Sequence, residues 1–325
     1  MKEIFNAIKK ALKSAKIALI VSHVDPDGDS IGSMNAMAFV LSAMGIKVDL
    51  YSQDGVPKIY RFLPGSDNVK QRLEQNKRYD LLVAVDASDI KRLGDKLKVD
   101  GLARMIINID HHPDNTQYGD INYVQQSSST AELIYRMLKH FKIKIEEPVA
   151  ENLYVALITD TGNYRYENTS VDTFIMAEDM LKAGVDTHAI STRIYDTKSI
   201  ASIRIMAEAL ATLEISPDRK AAWAVVTQAM MDKAGAKGED LVGLVDQIRS
   251  IDGVEVAVLF REDQGKVKVN LRSKSRVNVS DIARRFKGGG HYRAAGAVLS
   301  DDIQTAKKKV IAEVLKFLKA SQYLV

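Results

Sequence analysis

Length, composition and charge set the outer bounds on this chain of 325 residues. A chain of this length has room for two domains, each with its own hydrophobic core. It contains no cysteine, which excludes disulfides and thiolate metal sites and fits a reducing compartment. No apolar run reaches the length of a transmembrane helix, and the N-terminus starts an amphipathic helix without a signal-peptide core. These features predict a cytoplasmic location and no membrane partner.

The net charge of +4 hides a strongly basic segment near the C-terminus. Residues 261–293 hold ten Lys or Arg against three Asp or Glu, so this segment carries +7 and the rest of the chain −3. A basic patch of this kind suits an anionic substrate. Lysines that protect a sheet edge are the alternative explanation, but they do not account for the glycines in the same segment.

Strand-like and helix-like segments alternate over the first 195 residues or so. Apolar runs predict strands over residues 17–21, 47–51, 81–85 and 105–109. Helical patterns occupy residues 30–44, 130–141, 151–158 and 173–183, and we expect Ser30 to cap the first of these helices. The alternation predicts an α/β fold with a doubly wound, mostly parallel sheet and helices on both faces.

A second, smaller unit follows a break in the chain. Residues 197–214 contain no Gly or Pro and predict a connecting helix, which Ser216-Pro217-Asp218 ends. Beyond it, strands are predicted over residues 221–226, 255–260, 266–271 and 297–299, and helices over residues 239–248 and 302–318. The predicted organisation is a first domain over residues 1–195, a linker helix over 196–216 and a smaller α/β domain over 217–325.

Four apolar runs of the first domain end in residue types that bind metals. The residues that follow them are His23, Asp25, Asp27 and Asp29, then Asp86, then Asp110, His111 and His112, and finally Asp160. Ligands of open parallel sheets bind at the carboxyl ends of the strands. Crowded carboxylates repel each other, and a divalent cation bound by carboxylates and imidazoles relieves that repulsion. Solvated turns are the alternative, since Asp, Pro and Gly form turns, but the recurrence at four runs favours a metal site.

These motifs resemble those of the DHH phosphoesterase superfamily, which is named for the triplet Asp110-His111-His112. The chain is most similar to the group of bifunctional oligoribonucleases and phosphoadenosine-phosphate (pAp) phosphatases. Five motifs occur in the order of the family and span nearly the whole chain. They are His23 with Asp27 and Asp29, Val85-Asp86, Asp110-His111-His112-Pro113, Thr159-Asp160-Thr161-Gly162, and Gly288-Gly289-Gly290-His291 followed by Ala294-Ala295-Gly296.

The resemblance implies a catalytic domain with two divalent metal ions and a C-terminal domain that binds the substrate. One ion would be held by His23, Asp27 and Asp86, and the other by Asp29, Asp86, His111 and Asp160. Two such ions lie about 3.5–4 Å apart and need a shared anion, a role that the resemblance gives to Asp86. Mixed imidazole and carboxylate ligands favour Mn²⁺ over Mg²⁺, while Mg²⁺, Zn²⁺ and Co²⁺ stay open.

Further residues are expected to act around the metals. Asp110 is expected to accept a hydrogen bond from a ligating imidazole. His112 points away from His111 if the backbone is extended, and in the family it reaches the substrate phosphate. The substrate-binding residues implied by the resemblance are Arg272, Ser273, Gly288, Gly289, Gly290 and His291, and Arg165 lies close enough to Asp160 in sequence to join them. Residues 127–130 form either a simple helix cap or a phosphate site at a helix N-terminus.

The resemblance implies a hydrolase that cleaves short oligoribonucleotides and converts pAp to AMP. Its partners would be short single-stranded RNA, pAp and dinucleotides, because a cleft between two domains favours short chains. A phosphodiesterase of linear or cyclic dinucleotides shares every motif and is the main alternative. A pyrophosphatase would lack the Gly-Gly-Gly-His motif, and a processive single-strand DNA exonuclease would need extra domains. A non-catalytic nucleotide-binding regulator would not need a bridging carboxylate, and the sequence leaves a homodimer open.

Overall fold

The computed structural model of the protein describes residues 1–321, except for the side chains of His291 and Ser321. The chain folds into two compact units, Met1–Asp196 and Thr197–Val325. The helix predicted to link two domains is shorter than expected. It spans Ile200–Leu210 (α7) and packs against other elements of the second unit.

The first unit contains a six-stranded sheet in the order β3-β2-β1-β4-β5-β6. Its strands are β1 (Ile17–Val21), β2 (Lys47–Tyr51), β3 (Val69–Lys70), β4 (Tyr79–Val85), β5 (Ala103–Asp110) and β6 (Ile121–Val124). Every neighbouring pair is parallel. The strand order reverses between β1 and β4, and this switch point is where open α/β sheets bind ligands. The predicted fold class is confirmed.

Alternate residues of the buried strands pack on opposite faces of this sheet. The helices of the unit are α1 (Lys2–Ser14), α2 (Gly28–Ala43), α3 (Thr130–Phe141), α4 (Glu147–Asp160), α5 (Val171–Lys182) and α6 (Thr187–Tyr195). Ala18 and Ile20 of β1 belong to the large core cluster that these helices share. Leu19 and Val21 pack instead with residues such as Leu93 and Leu102, so the second face is covered by loops and a short 3₁₀ helix over Ile90–Leu93 where we expected α-helices.

Two helix ends near the sheet differ from the predicted ones. Helix α2 starts at Gly28, and its N-cap is Asp27 rather than Ser30. Asp27 Oδ1 accepts from the Ser30 backbone N–H at 3.0 Å, and the Ser30 hydroxyl accepts from the Asp27 N–H at 3.0 Å, which forms a reciprocal capping box. Helix α4 runs two residues beyond the predicted end, so Asp160 is its last residue. Both acidic side chains therefore lie at helix ends.

The second unit contains a mixed six-stranded sheet in the order β11-β12-β10-β9-β8-β7. Its strands are β7 (Glu214–Ile215), β8 (Ala221–Val226), β9 (Val256–Asp263), β10 (Lys266–Ser273), β11 (Gly289–His291) and β12 (Ala294–Leu299), and its remaining helices are α8 (Gln228–Ala234), α9 (Leu244–Arg249), α10 (Val279–Arg284) and α11 (Ile303–Ser321). Among the described strands of this second sheet, only the β8–β9 pair is parallel. The helix predicted over 239–248 is interrupted, because Gly243 has a φ of 84° and separates a 3₁₀ turn from α9.

Within the described part of the chain, no helix is both long enough and apolar enough to cross a membrane.

Candidate metal centre

The loop from β1 to α2 brings His23 and Asp27 to the carboxyl end of the sheet. His23 is buried, and its Nδ1 lies 2.7 Å from the Val24 carbonyl oxygen. A proton on Nδ1 satisfies that carbonyl and turns Nε2 towards the carboxylates. His23 Nε2 lies 3.8 Å from Asp27 Oδ1 and 3.4 Å from Asp86 Oδ2. The Asp27 side chain is half exposed, at 52%, so this end of the cluster faces solvent.

Asp86 lies at the centre of the cluster, directly after β4. Its backbone has a φ of 58°, a left-handed conformation that is uncommon for a residue with a side chain. Oδ2 faces His23, while Oδ1 lies 3.7 Å from His111 Nε2 and accepts from the Thr130 hydroxyl at 3.1 Å. Oδ2 of this buried carboxylate therefore faces His23, while Oδ1 lies near both His111 and His112.

A second group of ligand types surrounds the His111 ring. His111 Nδ1 lies 3.2 Å from the Ser127 carbonyl oxygen. Its Nε2 lies 3.9 Å from Asp29 Oδ2, 3.7 Å from Asp86 Oδ1 and 3.5 Å from Asp160 Oδ2. This repeats the geometry at His23, with the carbonyl on one side of the ring and carboxylates on the other.

Close packing of α2 on α4 brings Asp29 and Asp160 to the same place. Gly28 and Gly32 face α4, and a Cβ at Gly32 would lie 2.3 Å from the Asn152 carbonyl oxygen. Real Cβ atoms essentially never approach a backbone atom so closely, so the two helices depend on the absence of a side chain here. The start of α2, which carries Asp29, thus lies beside the end of α4, which carries Asp160.

The N-terminus of α3 holds Asp29, a contact that the sequence did not reveal. The backbone N–H of Thr130 donates to Asp29 Oδ2 at 2.7 Å, and that of Ala131 donates to Oδ1 at 3.1 Å. Ser129 is the N-cap of α3, so the simple cap expected over residues 127–130 is present. The Thr130 N–H, which lies in the segment considered for a phosphate, and the Ala131 N–H thus bind a carboxylate of the protein itself.

The structure places His112 and Asp110 differently from our expectation. Strand β5 ends at Asp110, and the rings of His111 and His112, which follow it, pack edge to face with centroids 4.8 Å apart. Asp110 Oδ1 lies 2.7 Å from His112 Nδ1. The imidazole that bonds to Asp110 is therefore that of His112, whereas His111 bonds to the Ser127 carbonyl.

Burial and mutual charge shift the protonation of these groups. Burial and the negative charges of Asp86 and Asp160 raise the pKa of Asp29. Burial raises the pKa of Asp160 to about 7 despite the attraction of His111. Burial opposes protonation of His111, but the charges of Asp160, Asp86 and Asp29 outweigh it and raise the pKa of His111 to about 10. Burial also disfavours the Asp86 carboxylate, yet the hydrogen bond from His23 and the charges of the histidines lower the pKa of Asp86.

The residues present fit divalent cations. The possible ligands form three overlapping groups, and within each group the ligand atoms lie within 4.8 Å of one another. The groups are His23, Asp27 and Asp86; Asp29, His111 and Asp160; and Asp86, His111 and His112. Imidazole nitrogens and carboxylate oxygens without thiolates match Mn²⁺, Zn²⁺ or Co²⁺ more closely than an all-oxygen Mg²⁺ shell. The protons that the cluster holds without a cation are those that a cation would displace.

Arg165 lies at the edge of this centre in the first unit. It is exposed, and its Nε donates to the Gly162 carbonyl oxygen at 2.6 Å. Gly162 itself has a φ of 56°. The backbone thus anchors the start of the Arg165 guanidinium group just beyond the end of α4.

The remaining predicted site residues belong to the second unit. Arg272 is partly buried, its Nη1 donates to the Leu271 carbonyl oxygen at 3.1 Å, and its Nε lies 3.8 Å from Asp246 Oδ1. Ser273 is fully buried, and its hydroxyl has no hydrogen-bond partner among the described residues. The side chain of His291 lies outside the described part of the chain. In this conformation Ser273 is shielded from solvent. A substrate could not reach it, contrary to the contact predicted from the sequence.

The glycines of β11 and the residue before it have different neighbours. A Cβ at Gly288 would lie 2.1 Å from the Gly296 carbonyl oxygen, and one at Gly290 would lie 2.5 Å from that of Ala294. A Cβ at Gly289 would meet no atom within 4 Å. Packing against β12 therefore explains Gly288 and Gly290, while Gly289 alone leaves open space beside its backbone.

Comparison with known proteins places these observations in a family. The DHH family N-terminal domain matches residues 17–158, and the DHHA1 domain matches residues 220–320. The bifunctional oligoribonuclease and PAP phosphatase NrnA of Thermus thermophilus is 31% identical over 309 residues, which cover 94% of this chain and 91% of that protein. The chain therefore belongs to the DHH family of phosphoesterases, and the resemblance drawn from the five motifs is confirmed.

Solved structures agree with this assignment. The crystal structure of an exopolyphosphatase-related protein from Bacteroides fragilis superposes with a TM-score of 0.92 at 26% identity and covers 100% of this chain and 98% of that one. RecJ from Thermus thermophilus in complex with Mn²⁺ has a TM-score of 0.54 at 14% identity, and covers 97% of this chain and 55% of RecJ. At this level of identity, the similarity to RecJ shows a shared fold and nothing further.

Proposed function

We propose that this protein is a divalent-metal-dependent phosphoesterase that hydrolyses short oligoribonucleotides and converts pAp to AMP. The observation that carries the proposal is the Asp86 carboxylate, whose Oδ2 faces His23 at 3.4 Å and whose Oδ1 faces His111 at 3.7 Å. Two cations about 3.5–4 Å apart need one shared anion between them. A nucleotide-binding module without catalysis would have no use for that arrangement.

The proposed ligands form two sets around Asp86. His23, Asp27 and Asp86 would hold one ion, and Asp29, Asp86, His111 and Asp160 would hold the other. We assign His112 to the substrate rather than to a metal, because its Nδ1 is directed at Asp110 at 2.7 Å and lies farther, 3.6 Å, from Asp86 Oδ1. The mixed imidazole and carboxylate set favours Mn²⁺ as the ion.

The side chains around these ions orient the substrate-binding histidine and hold the metal ligands in place. When bound, two divalent ions would acidify a water molecule and offset the charge of the reacting phosphoryl group. Asp110 holds the His112 ring by Nδ1, which orients the opposite ring edge for a phosphate oxygen. The α3 N–H groups and the Thr130 hydroxyl fix Asp29 and Asp86, so these carboxylates need not reorganise when a cation binds.

Residues of the second unit are proposed to bind the phosphates of the substrate. The segment 261–293 carries a net charge of +7, which attracts a polyanion. Arg272, the run Gly288–Gly290 and His291 are the proposed contacts, with Arg165 from the first unit as a further candidate. Ser273 would contribute only after a local rearrangement, because its side chain is fully buried.

The substrate class follows from the relatives. The matching proteins of Thermus thermophilus and Bacillus subtilis are named bifunctional oligoribonuclease and PAP phosphatase, and the chain covers 91% and 87% of their lengths. We carry both activities over as a proposal for this chain. A homodimer and a cytoplasmic location stay predictions.

A panel of substrates with Mn²⁺ tests the proposal. Initial rates would be measured on pAp, pApA, cyclic di-AMP, an RNA pentamer and pyrophosphate, and we expect pAp and the pentamer to react fastest. Asp86→Asn, purified identically, is the control for contaminating nucleases, since Asn keeps the shape and tolerates the left-handed φ. A faster reaction of pApA or cyclic di-AMP would assign the chain to the dinucleotide phosphodiesterases. Tight binding of pAp without any hydrolysis would identify a regulator.

A further inference from the structure

The loop after the Asp110-His111-His112 triplet places one amide side chain at the junction of three segments. Asn115 Nδ2 donates to Asp110 Oδ2 at 2.6 Å and to the Ala87 carbonyl oxygen at 3.3 Å. Asn115 Oδ1 accepts from Asn108 Nδ2 at 2.9 Å and from the Gln117 backbone N–H at 2.6 Å. Two donated and two accepted bonds saturate the hydrogen-bonding capacity of the amide.

The orientation of this amide is fixed by the backbone. The Gln117 N–H can only donate, so the Asn115 atom that faces it must be the oxygen. The atom that faces Asp110 is therefore the NH₂ group. A flipped amide would direct its oxygen at the Asp110 carboxylate and lose the bond from Gln117.

Asp110 transmits this contact to His112. The Asp110 side chain is fully buried, and a buried carboxylate must have its oxygens hydrogen-bonded. Asn115 binds Oδ2, and His112 Nδ1 lies 2.7 Å from Oδ1. The amide thus prevents Asp110 from rotating, and Asp110 keeps the proton of His112 on Nδ1.

Asn115 also links the Asp110–His112 pair to Ala87, the residue next to the proposed bridging ligand Asp86. Ala87, which accepts from Asn115 Nδ2, directly follows Asp86. The same side chain is therefore one of the links between the His112 loop and the Asp86 loop, together with the bonds from the Thr116 N–H to the Ser88 carbonyl and from the Tyr118 hydroxyl to the Ala87 carbonyl.

We propose that Asn115 is a positioning residue for the reaction, which fixes Asp110 and through it the orientation and tautomer of His112. The proposal rests on the proposed function, because His112 can act on a substrate only if the centre hydrolyses phosphate esters. The hydrogen bonds described for the Asn115 side chain go to Asp110, Ala87, Asn108 and Gln117, and none of these four residues is a proposed metal ligand.

Two substitutions and one control separate this role from general support of the loop. Asn115→Ala removes all four hydrogen bonds of the amide. Asn115→Asp keeps the shape and the acceptor for Gln117, but directs a carboxylate oxygen at Asp110, so the two carboxylates repel each other. The control is Asn122→Ala. Asn122 supports the same loop through the N–H and carbonyl of Gly119 and accepts from Asn108 Nδ2 at 3.5 Å, and its described hydrogen bonds do not include Asp110.

The kinetic test is a double-mutant cycle between Asn115 and His112 on the substrate that the wild-type protein turns over fastest. We expect Asn115→Ala and Asn115→Asp to lower kcat by about 10- to 100-fold with little change in KM, as for other residues that orient an active-site imidazole. In the His112→Ala background, Asn115→Ala should cost less than about twofold more. An equally large loss in both backgrounds would overturn the proposal.

A second readout does not depend on activity. In metal-free protein with ¹⁵N-labelled histidine, the His112 nitrogens should show a single tautomer with the proton on Nδ1 in the wild type and in Asn122→Ala. Both Asn115 variants should lose that single tautomer. An unchanged His112 spectrum in the Asn115 variants would refute the positioning role. If the wild type hydrolyses none of the esters, the proposed function fails, while this spectrum still decides the role of Asn115.

Discussion

Asp86 carries more of the proposed site than any other residue. It lies in a left-handed conformation that most side chains avoid, and its two oxygens face His23 and His111. A strained backbone at the centre of a buried cluster is typical of functional sites. Removing this one carboxylate should therefore affect both proposed metal positions.

We predict that Asp86→Ala abolishes turnover and lowers the metal content from two ions per chain. The bridging anion offsets the repulsion between the ions, so its loss should weaken both sites. Metal content would be measured by elemental analysis after dialysis. Asp25→Asn is the matched control from the same acidic loop, because Asp25 is exposed and belongs to none of the three ligand groups, and Asn tolerates its φ of 52°. Two ions and a near-normal kcat in Asp86→Ala would show that Asp86 does not bridge.

The protonation of the cluster predicts how metal stabilisation depends on pH. Burial raises the pKa of Asp160 to about 7, and neighbouring carboxylates raise that of His111 to about 10. A raised pKa in the folded state contributes stability at low pH that is lost as the pH rises through that pKa. The metal-free protein should therefore lose stability between about pH 6 and pH 8, while a cation displaces the protons more easily at the higher pH.

The measurement is the shift in Tm that saturating Mn²⁺ produces at the two pH values. We expect a larger shift at about pH 8 than at about pH 6. The reverse order would contradict the protonation that the structure indicates.

At the residue scale, the sequence predicted ligand types but not their partners. His23, Asp27, Asp86 and His111 follow strand-like apolar runs, and parallel strands bring the ends of such runs together, whereas Asp160 ends helix α4. The contact of Asp29 with the Thr130 N–H joins residues 101 positions apart, and no local pattern indicates it. The sequence also did not show which imidazole bonds to Asp110, and in the structure it is that of His112.

At the scale of elements, the contact between α2 and α4 positions the second ligand group. Periodicity along α2 gives no information on which neighbour approaches Gly28 and Gly32. The structure shows that α4 packs where their side chains would be. The left-handed Gly243 that interrupts the helix predicted over 239–248 is a similar case, since glycine alone does not reveal the sign of φ.

We predict that Gly32→Ala destabilises the protein by about 1–3 kcal/mol, because its Cβ would overlap a backbone oxygen that cannot move freely. The displaced helices should also weaken the metal site that contains Asp29 and Asp160. Thermal unfolding and Mn²⁺ titration would measure the two effects. Ser42→Ala, at an exposed position of the same helix, should leave both unchanged. A Gly32→Ala protein with wild-type Tm would show that the helices can separate at no cost.

At the scale of the whole molecule, we propose that the first unit carries out the chemistry and contacts the reacting phosphate through His112, while the second unit binds further phosphates of the substrate. All proposed metal ligands belong to Met1–Asp196, while Arg272 and the run ending at His291 belong to Thr197–Val325. The sequence predicted four of the six strands in each sheet, because strand and helix periodicities are local, but it missed β3, β6, β7 and β11. The packing against β12 that requires glycine at positions 288 and 290 is not local, so the sequence did not reveal it. These two glycines therefore have a structural explanation in addition to their proposed role in binding phosphate.

We predict that His291→Ala raises KM for pAp by about tenfold to a hundredfold, which corresponds to about 1.5–3 kcal/mol for a hydrogen bond to a charged group. Metal content should stay the same, because no proposed ligand belongs to the second unit. Hydrolysis of bis-p-nitrophenyl phosphate, which has no terminal phosphate, is the internal control and should fall much less. Loss of a metal ion, or equal losses on both substrates, would contradict this division between the units.

The most direct test of the two-metal centre is a crystal structure of the Mn²⁺-loaded protein with anomalous data collected at the manganese edge. We expect two anomalous peaks about 3.5–4 Å apart, with Asp86 bound to both ions. His23 and Asp27 should complete one set, and Asp29, His111 and Asp160 the other. A single peak, or two peaks without a shared Asp86, would contradict the two-metal centre.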